Sequence, residues 1–292
     1  MNRAWLAGLE VGDGRDVAVI GALNLSPESF YAGSVSASRE ALLAAADEMV
    51  AGGAAVLDVG AMSTAPYLDG AIEAEREADR LGEAVQLLVG KLGVPVSADT
   101  SRALPARAAL QAGARIINDV RGLTADPGLA RAVAESGAGL IVMASERGGR
   151  EEGSPIAAVQ DLLAESLTLA AQAGIDAERI VVDPGIGFFR RRGMPWYDWD
   201  VQVLASLSEL HALGRPVCVG ASRKSFIGAL DPRASHPADR LPGSLAAAAA
   251  AVLGGAHVIR AHDVAATVQA VRVAQAVHHA GGRAAGRVGA AE

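Results

Sequence analysis

Hydrophobic positions along this chain of 292 residues fall into two alternating patterns. Short runs that are apolar throughout are followed by longer segments whose apolar residues recur every three or four positions. The first run, residues 17–25 (VAVIGALNL), stops at Ser26-Pro27-Glu28-Ser29 and reads as a buried strand ending in a turn. A helix then starts near Ser38, with Leu42, Leu43, Ala46, Met49 and Val50 at helical spacing and Gly52-Gly53 as its stop. The unit recurs: strands are predicted at 54–60, 94–99, 113–118, 139–143, 180–183, 216–220 and 257–260. Helices are predicted between and after them at 72–92, 103–112, 127–136, 156–173, 200–213, 244–253 and 264–279. Most helices hand over to the next strand through glycine, as at Gly113, Gly137, Gly174 and Gly214, which accepts the left-handed cap conformation at little cost.

Strand then helix, repeated eight times without a linker, predicts a single (β/α)8 TIM barrel over residues 1–280. Residues 281–292, rich in Gly, Ala and Arg, are expected to form a disordered tail. A doubly wound open sheet is the structural alternative. Its Gly-x-Gly-x-x-Gly turn would follow the first strand, where Asn24-Leu25-Ser26-Pro27 stands instead.

Composition narrows this picture. With 51% hydrophobic but only 3% aromatic residues, the core must be aliphatic, as in buried parallel strands. A net charge of −7 argues against a protein that coats nucleic acid or anionic membrane, so an anionic ligand must be met by local cations. Cys218, the single cysteine, lies in an apolar run and reads as a small buried hydrophobe. The first residues lack the apolar stretch of a signal peptide, and no run reaches the roughly 18 apolar residues of a membrane span. A cytoplasmic protein is expected.

In a barrel, active sites are built at the C-terminal ends of the strands. Those ends read Asn24, Asp58, Asp99, Asn118, Met143, Asp183, Gly220 with Lys224 on its loop, and Arg260 with His262. Each alone has a plainer reading as a turn former or helix cap, and Asp263 capping the last helix is that reading for His262. Several polar ends converging on one rim favour a site. Lys224 is one of only two lysines, against 24 arginines, which suggests that a compact ammonium donor is wanted there.

Asp99, Asn118 and Asp183 are the types needed to read a flat, nitrogen-rich heterocycle, since carboxylates accept from ring N–H groups and an amide both donates and accepts. Arg260 is a candidate to stack on such a ring, with Met143 on the other face. Lys224, Arg260 and His262, with Asn24 and Ser63-Thr64 as neutral ligands, are candidates for an anion. Arg190-Arg191-Arg192 reads equally as a solvated loop, a lid or a docking surface beside Trp196-Tyr197-Asp198-Trp199. The histidines show no metal-cage spacing. A Mg²⁺ ion held by Asn24 and a substrate diphosphate would leave little trace in the sequence.

Taken together, these motifs resemble the dihydropteroate synthase family of pterin-binding barrels, over roughly residues 17–277. They are Leu23-Asn24-Leu25-Ser26-Pro27-Glu28-Ser29-Phe30, Asp58-Val59-Gly60 with Ser63-Thr64, Asp99-Thr100, Ile117-Asn118-Asp119, Asp183-Pro184-Gly185-Ile186-Gly187-Phe188, Ser222-Arg223-Lys224-Ser225-Phe226-Ile227-Gly228 and Arg260-Ala261-His262-Asp263-Val264. The resemblance implies condensation of 6-hydroxymethyl-7,8-dihydropterin diphosphate with p-aminobenzoate to give dihydropteroate and pyrophosphate. It implies a pterin pocket of Asp99, Asn118, Met143, Asp183, Gly220, Lys224 and Arg260, with Lys224, Asp99 and Arg260 as its catalytic residues. A diphosphate site at Asn24 (with Mg²⁺), Thr64, Arg260 and His262 follows, as does an arylamine site at Phe30, Pro66, Phe188 and Ser225. The family also implies a homodimer. A pterin-dependent methyltransferase acting with a corrinoid protein, or a non-catalytic pterin-binding paralogue, is the alternative.

This chain departs from the family pattern at three places. Met62-Ser63-Thr64-Ala65-Pro66-Tyr67 stands where the family has Glu-Ser-Thr-Arg-Pro-Gly, so the loop arginine expected to hold diphosphate is missing. The fifth strand ends Met143-Ala144-Ser145 in place of Met-His-Asn, and Phe189-Arg190-Arg191-Arg192 replaces Gly-Lys. Arg147, Arg190, Arg191 and Arg192 are the candidates to supply the missing cation.

Overall fold

A computed structural model describes residues 1–25, 35–61, 72–146, 153–190 and 193–288, side chains of 35–38 and 281–288 excepted. The chain opens with a hairpin, β1 (Arg3–Leu6) and β2 (Leu9–Gly12), in antiparallel register with Leu6 opposite Leu9. Its two-residue turn, Ala7-Gly8, has positive φ at both positions, the geometry whose twist matches a tight hairpin. The barrel strands follow as β3 (Ala18–Asn24), β4 (Val56–Gly60), β5 (Val96–Asp99), β6 (Ile116–Asp119), β7 (Gly139–Met143), β8 (Ile180–Asp183), β9 (Cys218–Val219) and β10 (Val258–Ala261).

All adjacent pairs among these eight are parallel, in the order β8-β7-β6-β5-β4-β3-β10-β9. A parallel bridge from Val182 to Val217 joins the two ends of that order and closes the barrel. β9 is short because Pro216 has no N–H to give the ladder; its carbonyl accepts from Val182 instead.

Helices α1 (Val35–Ala51), α2 (Ala74–Val89), α3 (Ala103–Gln111), α4 (Pro127–Ser136), α5 (Pro155–Gln172), α6 (Trp196–Ala205), α7 (Ser225–Leu230), α8 (Leu241–Leu253) and α9 (Val264–Val288) occupy the intervals. The local chemistry is visible at α4. Pro127 stands at its first position, the Asp126 side chain accepts from Gly128 N–H, and Gly137 ends it with φ +65°. The segment 200–213, predicted as one helix, is instead the end of α6 followed by a 3-10 stretch from Leu207 to Leu213. The last helix runs past its predicted end at His279.

Strand parity divides the apolar residues into two groups. Val19, Leu57, Val59, Ala98, Ile117, Leu140, Val142, Val182, Val219 and Ile259 face the helices. Ala18, Ile20, Val56, Ile116, Ile141, Val181, Cys218 and Val258 fill the barrel interior, where Ala4, Leu6 and Val11 of the hairpin join them and plug the end away from the strands' C-termini. The alternation in the hairpin is only four residues a side, too short to stand out in the sequence, and the element was not predicted. Leu6→Ala should cost about 2–5 kcal/mol, the usual cost of emptying a buried leucine site. Thermal unfolding would show it, with activity per folded molecule retained because the plug lies at the far end from the rim.

Candidate active site

The same parity builds the site. In four strands the inward position two residues past an interior apolar one is polar: Asp58 follows Val56, Asn118 follows Ile116, Asp183 follows Val181 and Arg260 follows Val258. Register sets Asp99 beside Asn118 and Met143 beside Asp183 on neighbouring strands. Arg260 ties the rim together. Its Nε donates to Asp58 Oδ2 at 2.6 Å and its Nη2 to Asp99 Oδ2 at 2.9 Å, while Asn118 Nδ2 donates to the same Asp58 oxygen at 2.9 Å. Asp58 is fully buried and touches both partners, so it orients Arg260 and Asn118 without facing the cavity. The remaining oxygen of Asp99 is buried without a hydrogen-bond partner among the described residues, a vacancy suited to a ligand N–H.

Asp183 and Lys224 form the opposite wall. Asp183 Oδ1 accepts from Gly185 N–H at 2.7 Å, and the Cys218 thiol hydrogen-bonds to the same carboxyl, so Cys218 is more than a space-filler. Burial pushes the Asp183 carboxyl up to about 6, against the pull of Gly185 N–H, Lys224 and Arg260. Burial, helped by Arg260, pushes the Lys224 ammonium down to about 8. Burial also raises Asp99; Arg260 opposes this and Asp58 adds to it.

Lys224 Nζ lies 4.0 Å from the centroid of the Phe188 ring, a cation-π contact. Gly187 makes that approach possible. Its φ is +83°, and a Cβ there would stand 2.9 Å from Lys224 Cδ. Its N–H donates to Asp200 Oδ1 at 2.8 Å. Asp200, on α6, is buried, is pushed up to about 6 by that burial, and acts on Lys224 from below. It was read in the sequence only as the start of a helix.

A third group lies where β3, β9 and β10 end. Asn24 Nδ2 is 3.3 Å from His262 Nε2, and His262 Nδ1 is 3.1 Å from Ser222 Oγ. Burial and then Arg260 lower the imidazole to about 4, so at neutral pH His262 is uncharged and serves as a hydrogen-bonding group where a cation was expected. Asp263 pairs with Arg223 through two hydrogen bonds of 2.8 and 2.6 Å. It therefore holds the Ser222-Arg223-Lys224 loop as well as preceding α9.

For Mg²⁺ the fit is partial: among the described residues no cluster of three acidic, His or Cys side chains could hold a metal. Asn24 offers one amide oxygen, which suits Mg²⁺ only if substrate oxygens and water complete the shell.

These groups line a cavity of about 320 Å³. Of the residues singled out in the sequence, Asn24, Asp99, Asn118, Met143, Asp183, Phe188, Gly220, Lys224, Arg260 and His262 face it. Ser225 lies just outside it, next in the chain to Lys224. Phe30, Thr64, Pro66, Arg147, Arg191 and Arg192 lie outside the described residues. Ser222 and Arg223, read in the sequence only as part of the motif around Lys224, also face the cavity, as does Arg240, which the sequence had not pointed to. A larger hollow of about 600 Å³, bordered by Trp5, Arg115 and Arg179, lies at the plugged end, far from these strand C-termini.

A family model described as "Pterin binding enzyme" matches residues 20–262. The chain belongs to that family. Its curated relatives include the dihydropteroate synthases of Synechocystis sp., 36% identical over 90% of this chain and 91% of that one, and of Mycobacterium leprae, 39% identical over 91% and 95%. Among solved structures, the Xanthomonas albilineans dihydropteroate synthase with 4-aminobenzoic acid is 37% identical. It superimposes with a TM-score of 0.83, covering 94% of this chain and 97% of the other. The same enzyme in complex with 7,8-dihydropteroate gives 0.80. Within the family the single (β/α)8 barrel is the common fold, as the strand count here requires.

Proposed function

We propose that this chain is a transferase of folate biosynthesis that condenses 6-hydroxymethyl-7,8-dihydropterin diphosphate with p-aminobenzoate, or a related arylamine, releasing pyrophosphate and forming dihydropteroate. The observation that carries the reading is the barrel-mouth cavity, where two buried carboxylates, an amide and the ammonium of half-buried Lys224 converge. The dihydropteroate synthase relatives support it.

In this reading Asp99 and Asp183 accept from ring and exocyclic N–H groups of the pterin, Asn118 reads its edge, and Lys224 donates to it. Gly220 leaves room, because a Cβ there would meet Arg260 and Asp183 at about van der Waals distance. Arg260, held edge-on by Asp58 and Asp99, offers its face to the ring while Met143 packs on the other side. The diphosphate sits by Asn24, His262 and Thr64. Asn24 would be the protein ligand for Mg²⁺, which would supply charge neutralisation of the leaving group. Loss of diphosphate needs electrostatic stabilisation and no protein nucleophile, which suits a rim of donors without an activated Ser or Cys. By the family resemblance the arylamine would meet Phe30, Pro66 and Phe188, with its carboxylate toward Ser225.

Homodimer formation is supported by exposed Leu253, Val273 and Val277 on the paired helices α8 and α9. No helix among the described residues is long and apolar enough to cross a membrane.

The pH dependence follows from the two walls. Asp183 must be ionised to accept an N–H, and Lys224 must be protonated to donate. Asp99, raised by burial as well, must be ionised too, so kcat/KM for the pterin substrate should rise between about 6 and about 7 and fall through about 8. A profile flat from pH 5 to 9 would contradict these roles. The function itself is tested by pyrophosphate release from the purified protein, which should require the pterin diphosphate, the arylamine and Mg²⁺ together.

A further inference from the structure

Arg190 is held by three separate segments. Its Nη2 donates to Ser225 Oγ at 2.8 Å, its guanidinium carbon lies 4.0 Å from the centroid of the Trp196 ring, and its backbone N–H donates to Glu146 at 3.1 Å. Glu146 follows β7, Trp196 opens α6 and Ser225 opens α7. The arginine is thus fixed across the loops of β7, β8 and β9, whereas Asn24 and His262, assigned to the diphosphate, stand at the ends of β3 and β10. Arg190 lies two residues beyond Phe188, and Ser225 is the residue after Lys224; the pair Phe188 and Lys224 already borders the cavity. The expected replacement for the missing loop cation is therefore held in a different sector of the rim.

A guanidinium lying over an indole still has its N–H groups for other partners, and they match a carboxylate in a way that an ammonium cannot. The Ser225 hydroxyl can accept from Arg190 and still donate to a second oxygen. Among the described residues, the charged groups around this position include Lys224, Glu146 and Asp200, whose carboxyl is raised by burial against the opposing pull of Gly187 N–H, Arg190 and Lys224. Resting on the synthase reading above, we propose that Arg190, through its pairing with Ser225, is the specificity-determining cation that selects an arylamine bearing a carboxylate opposite its amine over a neutral arylamine. It is a positioning residue for the acceptor and takes no part in bond making.

The test compares p-aminobenzoate with its neutral ethyl ester, which keeps the same amine. R190Q should raise KM for p-aminobenzoate about ten- to a hundredfold, the loss of one charge-assisted contact, with kcat little changed. KM for the ester should move far less, and R190K should recover part of the loss, since it keeps the charge without the fork or the stacking. An unmoved KM for p-aminobenzoate, or equal shifts for acid and ester, would overturn the proposal. Equilibrium binding of both compounds to wild type and R190Q in the presence of pyrophosphate and Mg²⁺ separates the two readings. Charge-dependent binding without turnover keeps Arg190 and removes the synthase reading. Turnover without charge dependence removes Arg190 alone, and a wild type that binds neither compound also overturns it.

Discussion

Lys224→Ala should abolish turnover while the protein still folds. The ammonium is the only lysine of the rim, held between Asp183, Asp99 and the Phe188 ring. In the reading proposed, it donates to the pterin in a water-poor cavity, where removing one such donor costs about a hundredfold or more in kcat. The fold should stand for a physical reason. Burial disfavours the charged form of Lys224, as its lowered pKa records, so alanine relieves a desolvation cost while losing the attraction of the aspartates. Circular dichroism melts should therefore stay near wild type while pyrophosphate release disappears. A well-folded, fully active mutant would remove Lys224 from the mechanism.

Arg260→Ala should have the larger effect on stability. Two carboxylates lean on one guanidinium: Asp58, wholly buried, and Asp99, nearly so. Truncating the arginine strands both, and breaking a buried pair from one side costs about 3–5 kcal/mol. The pH dependence carries a definite sign. Asp99 already titrates above its ordinary value, and Arg260 is the main influence holding it down, so the mutant raises it further. A carboxyl whose folded pKa is raised contributes stability below its unfolded pKa of about 3.8 and loses it as pH rises through the folded value. R260A should therefore fall short of wild type by more at pH 8 than at pH 5, as read by denaturant midpoints. A deficit that grew as pH fell would mean that the pair does not carry this charge balance.

How far the chain could be read without coordinates depended on the range of each interaction. Barrel strands were legible because burial on both faces makes continuous apolar runs, and the rim was legible because polar residues close those runs. Asp58 was visible as a strand end, but its place beneath Arg260 and Asn118 required three strands in register. Asp200 gave no signal at all: an aspartate four residues into a helix looks like any exposed acid until α6 folds over the Gly187 turn. The hairpin was missed because four-residue strands give too little alternation, and the 3-10 stretch at Leu207–Leu213 because its apolar spacing is compatible with an α-helix. His262 was read as a cation from its type alone, whereas burial beside Arg260 keeps it neutral. Arg190 could be named as a candidate cation, but its partner across three loops is a tertiary fact.

The central claim is that the barrel-mouth cavity joins a pterin diphosphate to an arylamine. The most direct measurement follows both products after mixing purified protein with 6-hydroxymethyl-7,8-dihydropterin diphosphate, Mg²⁺ and p-aminobenzoate. Dihydropteroate and pyrophosphate should appear together in equal amounts, and neither should form with the K224A protein. Tight pterin binding without pyrophosphate from any arylamine would contradict it.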